Sequence, residues 1–287
     1  MSVAKILVTG ATGKLGSVLV PLLLEEGFEV KAGTRNPARA RALLGREVEV
    51  VELSYDRTET YDGALQWADR VFLIPPPFTP DADRVIKPFL DWAVAARVRH
   101  VVLLSGLSVP HVGGIALRRM ETHLAAQDIE HTILRPNLYM QNLHPGFLSV
   151  QIRENRSIQL PAGEGRVSFV DVRDVADAAV RIFSEEGHHG HAYPLTGGRA
   201  FGLDEVARLV SDATGVEVTY ASIGEEAFST LLSPERWRPD EIDAIQTLMR
   251  SVRRGLREPV HPELEQLLGH PVRTLEDFVG ECASAWR

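Results

Sequence analysis

Short apolar runs alternate with amphipathic segments along the first half of the chain. The runs have the composition of buried strands, and the segments between them repeat apolar residues at three- and four-residue spacing, which is typical of helices. The predicted strands are residues 6–8, 28–32, 48–53, 71–74, 100–104 and 131–134, and the predicted helices are residues 15–23, 37–44, 81–96 and 115–127. Short apolar strands separated by helices predict a parallel sheet covered on both faces, which is the doubly wound α/β or Rossmann fold.

The pattern is looser after residue 144. A helix at residues 171–184 and a strand at residues 192–195 are predicted to rejoin the sheet. The remaining predicted elements are a strand at residues 216–223 and helices at residues 203–214, 225–232, 239–254 and 274–286. We therefore expect a Rossmann domain at residues 1–144, with residues 171–198 rejoining its sheet, and a smaller, mostly helical C-terminal lobe at residues 145–287 that binds substrate.

Composition and charge narrow the classes of partner. The 287 residues are 44% hydrophobic and 24% charged, which is ordinary for a soluble globular protein. A net charge of −8 gives no basic field for a phosphate backbone, so we expect no direct contact with nucleic acid. No apolar stretch reaches the roughly 18 to 20 residues of a membrane helix, and the first strand leaves no room for a signal sequence, so the expected location is the cytoplasm. The single cysteine, Cys282, forms neither an internal disulfide nor a multi-cysteine metal site.

Three glycines follow the first predicted strand. Gly10, Gly13 and Gly16 stand between residues 6–8 and the first helix. Glycines at such a bend permit a tight turn and a close approach of the main chain to a pyrophosphate, and the helix N-terminus supplies unpaired N–H groups. The predicted dinucleotide contacts at this turn are Gly10, Thr12, Gly13, Lys14, Leu15 and Gly16. The alternative is a glycine-rich turn without a ligand, and Lys14 alternatively is a solvated surface lysine.

The end of the second strand indicates which dinucleotide binds. Enzymes that select NAD place Asp or Glu there to bind the ribose 2′-hydroxyl, whereas this chain has no carboxylate and carries Arg35 just beyond the strand. Guanidinium binds phosphate through charge-assisted bonds, so we predict NADP(H), with a solvated loop charge as the alternative for Arg35. Asp56 is predicted either to bind the adenine amine or to cap the next helix. Further contacts are expected where later strands end, at Ile74, Pro75, Ser105 and Asn137.

The usual acid–base pair of short-chain dehydrogenases is missing. That pair is Tyr-x-x-x-Lys, in which the ammonium lowers the pKa of the phenol. None of the tyrosines has a lysine four residues later; they are Tyr55, Tyr61, Tyr139, Tyr193 and Tyr220. Tyr139 is the preferred proton donor or substrate anchor and His111 the second candidate. The alternatives are that Tyr139 only packs and that His111 is an ordinary loop histidine. The cluster at residues 188–191 contains three histidines, but it lacks a neighbouring cysteine or orienting carboxylate pattern, so no metal site is predicted.

Four motifs resemble those of one family. They are Thr9-Gly-Ala-Thr-Gly-Lys-Leu-Gly16, Gly33-Thr-Arg-Asn-Pro37, Thr132-Ile-Leu-Arg-Pro-Asn137 followed by Tyr139-Met-Gln-Asn142, and Phe169-Val-Asp-Val-Arg-Asp-Val-Ala176. Together they are similar to the NmrA-like family of atypical short-chain dehydrogenases/reductases. The resemblance implies a Rossmann fold and NADP(H). Family members include NADPH-dependent quinone and triphenylmethane-dye reductases, natural-product reductases, and a cofactor-binding transcriptional regulator.

One position departs from the reductases of that family. They often carry His four residues before the glutamate that resembles Glu121, and this chain has Leu117 there. The adjacent Arg118 is a poor proton donor at neutral pH and is better suited to binding an anion.

The leading hypothesis is an NADPH-dependent oxidoreductase that transfers hydride to a small conjugated organic molecule, such as a quinone or a natural-product intermediate. The first alternative is a redox sensor that binds NADP(H) and a protein partner without turnover. The second is a non-redox enzyme on the same fold. The sequence leaves the oligomeric state open.

Overall fold

The computed structural model describes residues 3–112, 114–232 and 237–287. The chain divides into two compact units. The first, called here the sheet unit, comprises Met1–Pro77, Asp81–Arg135 and Val172–Pro194. The second, called here the C-terminal unit, comprises Phe78–Pro80, Pro136–Asp171 and Leu195–Arg287. The assignment of a cofactor role to residues 1–144 and of a substrate role to residues 145–287 remains a prediction.

Strands and helices alternate through the sheet unit as the apolar pattern requires. The strands of the chain are β1 Lys5–Val8, β2 Glu29–Thr34, β3 Glu49–Glu52, β4 Arg70–Leu73, β5 His100–Leu104, β6 Glu130–Pro136, β7 Ser157–Leu160, β8 Arg166–Val167, β9 Ala192–Leu195, β10 Phe201–Gly202 and β11 Thr219–Ser222. The helices are α1 Gly16–Glu25, α2 Pro37–Leu44, α3 Tyr61–Leu65, α4 Asp83–Ala95, α5 Ala116–Ala125, α6 Leu148–Asn155, α7 Val172–Ser184, α8 Leu203–Thr214, α9 Glu225–Leu231, α10 Pro239–Arg253, α11 Glu263–Leu268 and α12 Leu275–Cys282.

A seven-stranded sheet forms the centre of the sheet unit, with the order β3-β2-β1-β4-β5-β6-β9. The pairs β2–β3, β1–β2, β1–β4, β4–β5 and β5–β6 are all parallel. The predicted doubly wound α/β fold is confirmed, and the strand after α7 joins the sheet beside β6, as expected. Because the strand order reverses between β1 and β4, the carboxyl ends of these two strands border the crevice where ligands bind in such sheets.

Both faces of the sheet are covered. Leu7, Leu73 and Leu103 pack on one face against apolar residues of α3, α4 and α5. Phe72, which points to the other face, meets Phe183 of α7 with ring centroids 6.4 Å apart. Because nearly all positions of the central strands β1, β4 and β5 are buried on one face or the other, these strands appear in sequence as continuous apolar runs.

Some predicted boundaries were wrong and several short elements were missed. The strand expected at residues 216–223 is limited to β11, which pairs with β7 rather than with the large sheet. The tail helix ends at Cys282 and continues as a 3₁₀ segment, Ala283–Trp286. The elements missed by the sequence pattern are α3, α6, α11, β7, β8 and β10.

A buried ion pair joins α4 to α5 and gives a first prediction. Asp83 is 6% exposed and accepts hydrogen bonds from Arg119 Nε at 2.8 Å and Nη2 at 2.6 Å. The bonds from Arg119 lower the pKa of Asp83 from its ordinary value of 3.8 to about 2, with a further contribution from Lys87. Since the folded-state pKa is depressed, this stabilisation is fully present above the unfolded pKa and is lost as the pH falls through the folded pKa.

We expect Asp83→Asn to lower the free energy of unfolding by about 1–2 kcal/mol at pH 7, with the difference from wild type shrinking as the pH falls from about 4 towards 2. Urea unfolding of the variant and of wild type over this pH range measures the difference in the free energy of unfolding. The matched control is Asp81→Asn, because Asp81 is 59% exposed and lies 3.8 Å from the same guanidinium, so its loss should cost less than about 0.5 kcal/mol. Equal effects of the two substitutions would contradict the prediction.

Candidate active site

Two of the three glycines in the turn after β1 stand where a larger residue would clash or strain the backbone. Gly10 has φ +59°, and a Cβ there would lie 3.2 Å from Ile74 Cβ. A Cβ on Gly16 would lie 2.5 Å from the Gly10 carbonyl oxygen and 2.7 Å from Ala11 Cα. The turn therefore depends on glycine at Gly10 for its backbone conformation and at Gly16 for close packing of α1 on the loop.

Thr9 anchors the turn to the neighbouring strand. Its main-chain N–H donates to Phe72 O at 3.0 Å, and its Oγ1 accepts from Ile74 N at 2.7 Å. Tyr55, which follows β3, donates its hydroxyl to Ile74 O at 3.0 Å. These bonds hold the segments that follow β1, β3 and β4 together at one edge of the sheet. The sequence reasoning did not assign Thr9 a role, although its position directly before the first glycine was a usable signal.

The turn presents unpaired donors beside a cation. Within the described residues, the main-chain N–H groups of Thr12 and Leu15 donate to no protein group. They stand at the start of α1, where the helix dipole favours negative charge. The side chain of Lys14 lies exposed on this turn, and desolvation by the surrounding protein lowers its pKa from 10.5 to about 8. Thr12, Leu15 and Lys14 thus supply what a diphosphate group requires.

Arg35 is an exposed cation at the end of β2. It makes no hydrogen bond or ion pair in the part of the chain that the structure describes. The following Asn36 caps α2, because its Oδ1 accepts from Arg39 N at 3.0 Å, and this fixes the loop. Glu52 lies opposite Thr34 in the pairing of β2 with β3, and its carboxylate is bound by Arg57. The end of β2 therefore offers a free guanidinium and a neutralised acid, which fits a 2′-phosphate better than a 2′-hydroxyl.

Asp56 lies exposed in the turn after β3. The next helical segments begin with other capping positions, Arg57 for the 3₁₀ turn Thr58–Thr60 and Thr60 for α3. The alternative that Asp56 caps the next helix is therefore wrong, and its contact with adenine stays a prediction. Ile74 and Pro75 follow β4 beside Gly10, so they border the same turn.

Ser105 follows β5 and is bound by a buried carboxylate. Its hydroxyl donates to Glu121 Oε1 at 2.6 Å, and Arg135 donates to both oxygens of Glu121 at 2.9 and 2.7 Å. Glu121 is 2% exposed. Because the single hydroxyl hydrogen of Ser105 is committed to Glu121, Ser105 Oγ can only accept a hydrogen bond from a ligand. Leu117, at the position where related reductases often have His, packs at the edge of the apolar core.

Asn137 and Tyr139 belong to the C-terminal unit. The Asn137 amide nitrogen lies 2.8 Å from both Ser168 Oγ and Arg257 O, which fixes the side chain. Its Oδ1 is buried and has no hydrogen-bond partner among the described residues. The Tyr139 hydroxyl has no partner there either, and desolvation raises the pKa of this phenol. The structure thus leaves one amide oxygen and one phenol hydroxyl without a hydrogen-bond partner among the described residues.

The histidine candidates lie in loops of the sheet unit. His111 is exposed at the end of the 3₁₀ turn Val109–His111. His188 Nδ1 lies 2.9 Å from the Tyr193 hydroxyl, in the turn before β9. Over residues 3–112, 114–232 and 237–287, no three His, Cys, Asp or Glu side chains converge as metal ligands would.

Comparison with known proteins is consistent with this site. The model of the NmrA-like family matches residues 2–278. A (4-alkanoyl-5-oxo-2,5-dihydrofuran-3-yl)methyl phosphate reductase of Streptomyces griseus is 32% identical, over 98% of this chain and 99% of the relative. An NAD(P)H azoreductase of Xenophilus azovorans is 30% identical over 98% of this chain and 99% of its own. The structure of an NADPH-dependent quinone oxidoreductase of Escherichia coli in complex with NADPH superposes with a TM-score of 0.84, at 28% identity, and covers 96% of this chain and 99% of that one.

Proposed function

Since this chain belongs to the NmrA-like family, we propose that it is an NADPH-dependent reductase that transfers hydride to a small conjugated organic acceptor, such as a quinone or a natural-product intermediate. The protein is an oxidoreductase that uses NADP(H); of the relatives named above, one is an NAD(P)H azoreductase and one an NADPH-dependent quinone oxidoreductase. The observation that supports the finer proposal best is the unpartnered Arg35 beside an exposed glycine turn with free N–H groups. No helix in the described ranges is long and apolar enough to cross a membrane.

Each part of the cofactor is assigned to particular residues of the sheet unit. We assign the pyrophosphate to the turn from Gly10 to Gly16, with Lys14 as its counter-charge. The 2′-phosphate is assigned to Arg35 and the adenine amine to Asp56. Bound NADPH supplies the hydride. Ser105 Oγ, which faces a ligand only as an acceptor, suits an N–H donor such as a carboxamide.

The second half of the reduction needs a proton. Ser105 is a poor source, because its hydrogen is held by Glu121. Tyr139 is the better candidate, because its phenol has no hydrogen-bond partner among the described residues and its raised pKa keeps it protonated at neutral pH. Tyr139 is proposed to anchor and protonate the substrate, with His111 as the second candidate.

Turnover with an acceptor panel tests the proposal. Purified protein is mixed with NADPH and, separately, with a naphthoquinone, an azo dye, a triphenylmethane dye and an enone, and NADPH consumption is followed by absorbance. We expect acceptor-dependent oxidation with at least one member of the panel. Tight NADPH binding without oxidation by any acceptor would favour the redox-sensor alternative, which the apolar Leu117 and the missing Tyr-x-x-x-Lys pair support.

The lowered pKa of Lys14 predicts a pH dependence of cofactor binding. Without the cofactor the pKa of Lys14 is lowered to about 8, and phosphate contact raises it in the complex, so binding takes up a proton above pH 8. Relative to its value near pH 7, NADPH affinity should therefore fall above pH 8, by at most about tenfold per pH unit.

Titration of NADPH at several pH values measures this dependence. Lys14→Met should bind more weakly at pH 7 and lose the decline, whereas Arg35→Ala should retain it. An unchanged decline in Lys14→Met would show that another group is responsible.

A further inference from the structure

A charged groove lies on the sheet unit, beside α5. It has a volume of about 410 Å³ and runs along β6 towards β9. Arg118 and Arg135 line it together with Glu121, and Ile133 and Ala125 supply apolar surface. No residue assigned to cofactor binding above lines this groove.

The charges of the groove do not cancel. Glu121 is the one carboxylate among its lining residues, and it binds Arg135 through two hydrogen bonds. Arg118 Nη1 lies 3.4 Å from Glu121 Oε2, a long contact for a charged pair. Two guanidiniums thus share one buried carboxylate, which leaves an excess of one positive charge.

Several guanidinium donors face no protein acceptor. Arg135 uses Nε and Nη2 on Glu121, and among the described residues its Nη1 has no partner. The same holds for Nε and Nη2 of Arg118. The side chains are 18% and 50% exposed respectively, so their donors can be reached from solution. Guanidinium groups favour planar or tetrahedral oxyanions, which they bind through paired N–H donors.

We propose that this groove binds a small organic oxyanion, with the carboxylate or phosphate group between Arg118 and Arg135 and the apolar part along Ile133 and Ala125. The excess positive charge selects an anion over a cation. The apolar wall favours an organic anion over the bare ion, and the volume lies in the range of small-molecule sites. None of the proposed cofactor contacts lines the groove, although its Glu121 also accepts a hydrogen bond from Ser105, and binding of the anion does not require the proposed reaction.

Calorimetric titration of the full chain with benzoate and with inorganic phosphate tests the site. The protein is first saturated with NADP⁺, so that the cofactor phosphate contacts are occupied. Both anions should bind with one-to-one stoichiometry, benzoate more tightly, and sodium chloride should weaken both. Arg118→Gln should weaken binding by on the order of tenfold or more, and Arg118→Lys by less.

Arg84→Gln is the matched control, because Arg84 also contacts an acidic residue three positions away, Asp81, at 3.5 Å. It should bind both anions like wild type. Arg35→Ala, titrated in the same way, shows whether the anion occupies the cofactor phosphate site instead. The proposal is overturned if neither anion binds saturably in the millimolar range, or if Arg118→Gln binds as tightly as wild type. It is also overturned if only Arg35→Ala loses binding, since the anion would then occupy the cofactor phosphate site.

Discussion

Gly16→Ala is expected to reduce NADPH affinity by on the order of a hundredfold and to lower the free energy of unfolding by about 1–3 kcal/mol. The new Cβ would lie 2.5 Å from the Gly10 carbonyl oxygen and 2.7 Å from Ala11 Cα. Both are main-chain atoms, so no side chain can rotate away and the turn itself must open. Opening it displaces the N–H groups of Thr12 and Leu15, which are proposed to bind the pyrophosphate. Calorimetric titration and urea unfolding measure the two effects.

Two further variants separate cofactor binding from folding. Gly63→Ala is the control, since a Cβ there meets only Val51 Cγ2 at 4.0 Å, and it should change neither quantity appreciably. Gly13 is exposed, and its Cβ would meet only the Gly10 oxygen at 3.2 Å, so Gly13→Ala should affect stability less than affinity. Wild-type NADPH affinity in both turn variants would contradict the assignment of the pyrophosphate to this turn.

Tyr139→Phe is expected to lower kcat by on the order of a hundredfold, with a smaller change in KM for NADPH. The substitution removes only the hydroxyl, which has no hydrogen-bond partner among the described residues, so it should leave the fold intact. Because desolvation raises the pKa of this phenol, Tyr139 should stay protonated through the neutral and mildly alkaline range. The kcat of wild type should therefore show no alkaline decline from this group below about pH 10.

Tyr220→Phe is the matched control for this variant. Tyr220 lies in the same unit, and its hydroxyl donates to Gly163 O at 2.8 Å, so its loss should affect stability rather than kcat. If Tyr139→Phe kept wild-type kcat while His111→Ala lost it, the proton would come from His111. If both kept it, water would be the proton source.

The elements with strong local signals were predicted well. The segments α2, β5, β9 and α8 have the predicted limits, because apolar periodicity and capping residues such as Asn36 mark them. The missed elements are mostly short: α3 has five residues and β8 and β10 have two each, too few to show a period. Their formation depends on packing against distant segments, which a local pattern does not contain.

The residues of the candidate site also differ in whether the sequence alone could predict their roles. The glycine turn and Arg35 were recognisable because each depends on a few neighbouring residues. The hydrogen bonding of the Ser105 hydroxyl was not recognisable. It donates to Glu121, sixteen positions away on α5, and Arg135 on β6 holds Glu121 in place. The anion groove was missed for the same reason, since only the packing of α5 on β6 brings Arg118 and Arg135 to one carboxylate.

The most direct test of the central claim is the cofactor preference of acceptor-dependent oxidation. For one acceptor that supports turnover, kcat/KM is measured with NADPH and with NADH, for wild type and for Arg35→Ala. We predict that wild type prefers NADPH by roughly ten- to a hundredfold and that the preference collapses in Arg35→Ala through loss of NADPH activity. Equal use of the two cofactors by wild type, or a preference for NADPH that survives in Arg35→Ala, would contradict the account.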